Sequence, residues 1–178
     1  LNEARDVGRS ALFQVAFALQ NAYEANYGTE ADAVVVLLNA GASATNINIL
    51  NGDQSVFTRD ISIGGNAYTE ALQKELNLPF DLADQLKRGI PVDGVTFDDA
   101  RPVLRAVSEN VMLEIQKTFD FFKATAASDK IDRIVLSGGA SRAEGFTEML
   151  TERFCSRPSL ELFGASGRSA PKLMSWIL

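Results

Sequence analysis

The sequence predicts an α/β domain built on a mixed sheet with antiparallel hairpin strands, flanked by helices and carrying a small helical subdomain. Three observations point there. In residues 34–50 the branched run Val34-Val35-Val36-Leu37-Leu38 enters the small turn Asn39-Ala40-Gly41-Ala42-Ser43-Ala44 and leaves as the alternating Thr45-Asn46-Ile47-Asn48-Ile49-Leu50, which reads as a buried β-hairpin. Leu104, Val107, Val111, Ile115, Phe119 and Phe122 recur at steps of three and four, the stripe of a long core helix. A second buried strand near 131–136 runs into another glycine turn, Ser137-Gly138-Gly139-Ala140-Ser141, ahead of a helix.

The chain of 178 residues suffices for one packed domain or two small subdomains, and with 46% apolar and 22% charged residues its composition is that of an ordinary globular protein. A net charge of -6 and a pI near 4.7 argue against an extended nucleic-acid-binding surface. The single cysteine, Cys155, rules out an intrachain disulfide framework and suits a reducing compartment. Histidine is absent, which removes Ser-His-Asp and Cys-His catalysis and the zinc sites that need imidazole. No apolar run approaches the roughly 20 residues that cross a bilayer, so membrane association is expected only through a partner.

Along the chain, Phe13, Val15, Ala16, Leu19 and Ala22 predict a helix over about 10–26, stopped at Gly28, while residues 1–9 give no signal. Residues 32–38 are apolar on both faces and read as a central strand. Residues 45–50 alternate, with one face expected to be buried, and Asn51-Gly52 predicts a tight turn into a third antiparallel strand over 56–63. Gly64-Gly65-Asn66 precedes a helix over about 67–76 with Leu72 and Leu76 on one face, and Asp81 is a candidate cap for a short helix through Lys87. Asp98 or Asp99 is expected to cap the long helix, with Pro102 in its first turn; adjacent carboxylates opening a helix read as caps rather than as a catalytic pair. A helix over about 143–154 shows Phe146, Met149 and Leu150 on one side, and beyond Pro158 the signal fades. Cys155 reads as structural, and Met174 and Trp176 as either a contact surface or a tucked tail.

The two glycine turns are the chemically informative features. Gly41 frees the backbone to approach an anion, and Ser43 and Thr45 add hydroxyl donors beside it. The turn at 137–141 lies between strand and helix, where backbone N–H groups favour an anion or a closely packed polar ligand, though it lacks the spacing and lysine of a Walker loop. Taken separately, each turn reads equally well as a structural device that needs glycine for backbone reasons alone.

In order, the N-x-G-x-S-x-T hairpin (Asn39 to Thr45), the Gly-Gly helix start, the long amphipathic helix and Leu136-Ser137-Gly138-Gly139-Ala140-Ser141 resemble the second half of the actin-like (ribonuclease H-like) ATPase superfamily. Phe57-Thr58-Arg59-Asp60-Ile61-Ser62-Ile63-Gly64-Gly65-Asn66 and Phe17-Ala18-Leu19-Gln20-Asn21-Ala22-Tyr23-Glu24 make the chain most similar to the PilM family of type IV pilus assembly proteins, in the FtsA-like branch, over about 17–154. The resemblance implies a core subdomain over 10–65 and 95–155, a smaller helical insert over 66–94, and ends at 1–9 and 156–178 that match nothing in the family, as truncation or an altered reading frame would produce.

By the same resemblance ATP and magnesium are the expected ligands. Gly41, Ser43 and Thr45 would face the β- and γ-phosphates, Gly138 and Gly139 would lie against the adenosine, and Glu114 and Lys117 would reach the ribose. Asn39 stands where the family usually has the aspartate that orders hydrated magnesium, which weakens the expected metal binding and hydrolysis. The superfamily's first domain, with its own phosphate hairpin and catalytic acid or base, has no counterpart in these residues, so no catalytic residue is assigned. The implied role is a cytoplasmic scaffold at the inner face of the bacterial inner membrane, bound to the short cytoplasmic tail of a PilN-like partner chiefly through that first domain. At most it is a weak ATPase when both domains are present. A sugar or acid kinase domain and an FtsA-like cell-division protein are the alternatives within the superfamily.

Overall fold

The computed structural model describes residues 2–28, 30–126, 130–154 and 159–162. Five strands form one sheet in the order β3-β2-β1-β4-β5, where β1 is Val34–Ala40, β2 Thr45–Asn51, β3 Gln54–Ile61, β4 Arg133–Ser137 and β5 Ser159–Leu162. β1, β2 and β3 pair antiparallel, while β4 and β5 join parallel to β1, so the expected mixed sheet is present. β5 has no counterpart among the expected strands, because four residues are too short a run for periodicity to register.

Helices cover both faces. On one lies α1 (Asn2–Tyr27), whose Leu19 and Tyr23 pack on Val35, Leu37, Leu50 and Val135. It starts well before the expected residue 10. On the other lie α2 (Gly65–Leu76), α3 (Phe80–Lys87), α4 (Phe97–Thr125) and α5 (Phe146–Phe154), where Val34, Val36, Leu38 and Ala40 meet Tyr68, Leu72, Ala83, Leu86, the α4 stripe, Phe146 and Leu150 in one buried cluster. Alternate residues of β1 thus enter different cores, which is why its sequence is apolar throughout.

Several local expectations are corrected. β2 is covered on both faces: Asn48 is 1% exposed, donates its amide to the Ala16 carbonyl at 3.2 Å and accepts from the Ser55 hydroxyl at 2.6 Å. A polar residue in an alternating strand looked like a solvent face, but here it is a satisfied residue under α1. The β2–β3 turn centres on Gly52-Asp53, with Asn51 still paired to Gln54 and Gly52 at a φ of +63°. The register shifts after Ile49, so that Val56 bulges from β3 and is 47% exposed.

Helix starts also differ. Thr96, rather than Asp98 or Asp99, caps α4: its hydroxyl accepts from the Asp99 N–H at 3.3 Å and the Asp99 carboxylate accepts from the Thr96 N–H at 3.0 Å. The Thr96 hydroxyl also donates to the Asp99 carboxylate at 2.6 Å, and this bond, then the one from the Thr96 N–H, holds the Asp99 carboxyl below the usual carboxylate range. Pro102 consequently falls in the second turn, on an exposed face. Pro79 caps α3, with Asp81 inside its first turn. α5 begins at Phe146, because a 3₁₀ turn over Gly139–Arg142 and Gly145 at a φ of +76° occupy the preceding residues. Cys155, Met174 and Trp176 lie outside the described residues, as does the side chain of Phe13.

Candidate functional site

The parallel strands β1 and β4 end side by side, with Asn39 opposite Ser137. Each runs directly into a glycine turn, so both turns emerge at the same edge, the C-terminal ends of parallel strands, where α/β sheets place ligands. A third element closes the group. The α2 N-terminus is tied to the first turn, since Gly65 N–H donates to the Gly41 carbonyl at 2.9 Å and Asn66 N–H to the Ala42 carbonyl at 2.7 Å.

The approach is close enough to exclude side chains. A Cβ on Gly64 would lie 2.7 Å from three backbone atoms of the turn at 41–44, and one on Gly138, at a φ of +90°, would lie 2.3 Å from the Ala40 carbonyl oxygen. Gly64 and Gly138 are therefore required by packing between three elements, in addition to any ligand, whereas a Cβ on Gly65 would make only ordinary contact, 3.6 Å from the Ala140 methyl group.

Each residue singled out from the sequence has a definite place. Gly41 donates its N–H to the Ala44 carbonyl at 3.0 Å and so closes the turn on itself. Ala42 and Ser43 are exposed at its tip, and among the described residues nothing accepts from their N–H groups or from the Ser43 hydroxyl. Thr45 is 1% exposed and spends its hydroxyl on the Ile63 carbonyl at 2.8 Å, bracing the hairpin against the end of β3. Gly138 is packed beneath the turn and Gly139 is exposed above it, with open space where a Cβ would go. Ser141 secures the turn from the far side, donating its hydroxyl to the Gly138 carbonyl at 2.6 Å. Asn39 is half-buried, its amide nitrogen 3.1 Å from Asn46 Oδ1 and its carbonyl oxygen 3.3 Å from Ser137 Oγ.

Glu114 and Lys117 lie on α4. They pair with each other at 2.6 Å, and Glu114 meets Arg59 of β3 at 3.5 Å; the Lys117 ammonium is the main cause that holds the Glu114 carboxyl below its ordinary range. In the sheet order, β2 and β1 lie between that strand and the β4 turn.

Among the described residues, two cations lie near the turns: Arg142, exposed at the end of the second turn itself, and Lys87. From the last turn of α3 its ammonium donates to Thr69 Oγ1 at 2.8 Å and to the Gly65 carbonyl at 3.4 Å, and it pairs with Asp84 at 2.7 Å, which lowers the Asp84 carboxyl's affinity for protons. In the sequence Lys87 marks only the end of a short helix. Its partner Gly65 lies 22 residues away, and no local spacing links them.

The donor set suits a phosphate-bearing ligand. Exposed, unpaired N–H groups at the tip and a hydroxyl beside them are groups that bind anions, whereas the Lys87 ammonium is already matched by Asp84, Thr69 and the Gly65 carbonyl. The residues fit magnesium less well, since Asn39 supplies a neutral carbonyl oxygen and no charge. Among the described residues there is no group of three or more His, Cys, Asp or Glu placed to hold a metal, and no helix long and apolar enough to cross a membrane.

Comparison with known proteins shows the family and the fold. The family model described as Type IV pilus assembly protein PilM matches residues 6–160. Among solved structures, the chain is similar to the PilM-PilN type IV pilus biogenesis complex, with a TM-score of 0.69 and 27% identity, covering 82% of this chain and 40% of that one. The ethanolamine utilization protein EutJ from Carboxydothermus hydrogenoformans follows at 0.57 and 20%, covering 82% and 48%. MreB 5 of Spiroplasma citri bound to AMPPNP matches at 0.61 and 13%, covering 80% and 53%. At these identities the last two speak for the actin-like fold alone. The chain spans about two fifths to one half of the length of these proteins.

Proposed function

The chain belongs to the type IV pilus assembly protein PilM family, and we propose that it is the nucleotide-binding half of an actin-like scaffold whose partner is a PilN-like cytoplasmic tail. One observation carries the nucleotide reading: the turns at 41–44 and 138–142 and the start of α2 converge at one sheet edge and leave the Ala42 and Ser43 donors outward and unpaired. The partner reading rests on the similarity to the PilM-PilN complex.

In this reading the Ala42 and Ser43 N–H groups and the Ser43 hydroxyl hold phosphate oxygens, while Gly41 and Thr45 keep the hairpin closed so that those donors point outward. Gly138 and Gly139 offer bare backbone against the adenosine, while Lys87, paired with Asp84, holds the start of α2 through Thr69 and the Gly65 carbonyl. Magnesium, when bound, would neutralise phosphate charge, and Asn39 is the residue here that would orient its water. The assembly sits at the inner face of the bacterial inner membrane and reaches the membrane through its partner.

Calorimetric titration of this chain with ATP and magnesium tests the nucleotide half of the proposal. Binding weaker than micromolar is expected, because a clamp with one wall loses most of its contacts. Turnover of ATP stimulated by sugars would instead make it a phosphotransferase and overturn the scaffold reading. A PilN-like cytoplasmic peptide is expected to bind the two-domain parent and to bind this chain weakly or not at all.

A further inference from the structure

Four polar side chains stand in a row across four adjacent strands. Asp60 on β3 is paired in register with Asn46 on β2, Asn46 with Asn39 on β1, and Asn39 with Ser137 on β4, so all four project from the same face of the sheet. That face is the α1 side, since Asn39 continues the alternation of Val35 and Leu37. The side chains are joined end to end. Asn46 donates its amide to the Asp60 carboxylate, Asn39 donates its amide to Asn46 Oδ1 at 3.1 Å, and the Ser137 hydroxyl donates to Asn39 Oδ1 at 3.3 Å.

We infer that Asp60 is a positioning residue: it sets the direction of this row, and so makes Asn39 present its carbonyl oxygen, rather than its NH₂ group, toward the turn at Gly138. An amide can be turned end for end without changing its shape, so each asparagine alone would be free to face either way. A carboxylate accepts hydrogen bonds and donates none. Although Asp60 is exposed, Asn46 offers it its NH₂, which leaves the Asn46 carbonyl toward Asn39. Asn39 must answer with NH₂, which leaves its own carbonyl oxygen on the far side. The reverse direction would set the Asn46 carbonyl against the Asp60 carboxylate, acceptor against acceptor.

The same placement sets Asn39 Oδ1 2.7 Å from where a Cβ on Gly138 would lie, so in this direction of the row the carbonyl oxygen lies against the second glycine turn. A carbonyl oxygen is a ligand or hydrogen-bond acceptor for hydrated magnesium, whereas an NH₂ group in its place would repel the cation. The row thus turns a neutral residue into an oriented acceptor at the site. The link to magnesium rests on the nucleotide reading above, while the orientation of the row does not.

The test is made on the ¹⁵N-labelled chain without ligand, by following the side-chain NH₂ signals of Asn39 and Asn46, with backbone amides reporting that the fold is kept. Asp60→Asn adds a donor at the controlling end without changing its size. The Asn39 NH₂ signals are expected to shift or double although Asn39 does not touch residue 60, and their exchange with solvent should accelerate several-fold. Asp60→Glu, which still only accepts, is expected to restore them. If Asn39 in Asp60→Asn keeps its wild-type signals while Asn46 changes, the row does not transmit direction and the inference is overturned. In a second arm, the magnesium-dependent part of ATP affinity should fall on the order of tenfold in Asp60→Asn and recover in Asp60→Glu. A wild-type chain with no measurable ATP affinity would count against the nucleotide reading, and the amide signals would still decide the orientation.

Discussion

At Gly138 an added methyl group would lie 2.3 Å from the Ala40 carbonyl oxygen on a backbone already at a φ of +90°. Gly138→Ala is therefore expected to lose about 3 kcal/mol, from left-handed strain and displacement of the β1 end, read as a lower urea midpoint with an unchanged slope. Asn39→Asp separates two roles at one residue. A carboxylate there restores the charge that orders magnesium, so magnesium-dependent nucleotide binding should tighten by roughly tenfold, measured by calorimetry with and without the metal. The same change removes the amide that Asn46 Oδ1 accepts from and should lower stability by about 1 kcal/mol. An affinity unmoved by this substitution would return the hairpin to the status of a structural turn.

For single elements, the decisive features are ends rather than middles. The α4 stripe is long enough that its helix was evident, yet its first residue is set by the reciprocal Thr96–Asp99 pair. Thr96→Ala should cost about 1 kcal/mol in thermal or urea denaturation. Where β1 and β4 begin, the Asp132 N–H donates to the Val34 carbonyl at 2.9 Å and the Asp132 carboxylate accepts from the Val34 N–H at 3.0 Å. Lys130, and then that N–H, hold the Asp132 carboxyl below its ordinary range. A lowered native pKa adds stability above the unfolded value, near pH 4, and that stability is lost as pH falls through the native value. Asp132→Asn should accordingly flatten the acid limb of a stability-against-pH curve measured by denaturation between pH 7 and pH 3.

Across the whole molecule, the sheet is unevenly protected. β1 is enclosed by β2, β4 and helices on both faces, whereas β3 is an edge strand with most of its residues exposed. Hydrogen exchange should therefore be slowest in β1, in β2 and along the buried face of α4, and fastest in β3. Uniform protection of all three hairpin strands would mean that the β3 edge is covered in solution. Phe57 ties that edge to the body, its ring 5.9 Å from Phe121 and 6.0 Å from Phe122 of α4.

The sequence by itself determined which segments form strands and helices from residue 32 to 154, and the order of the two glycine turns that carries the family resemblance. Both are written in nearest-neighbour chemistry: periods of two and of three to four, and glycine where a turn demands it. Only the tertiary structure decided that Asn48 is buried, that Thr45 braces the hairpin, that Lys87 reaches the start of α2, and that Asp60 is linked through Asn46 to Asn39 two strands away. Each of those facts depends on which distant segment lies across the sheet or against its end. Side-chain orientation is set by partners that chain spacing does not encode.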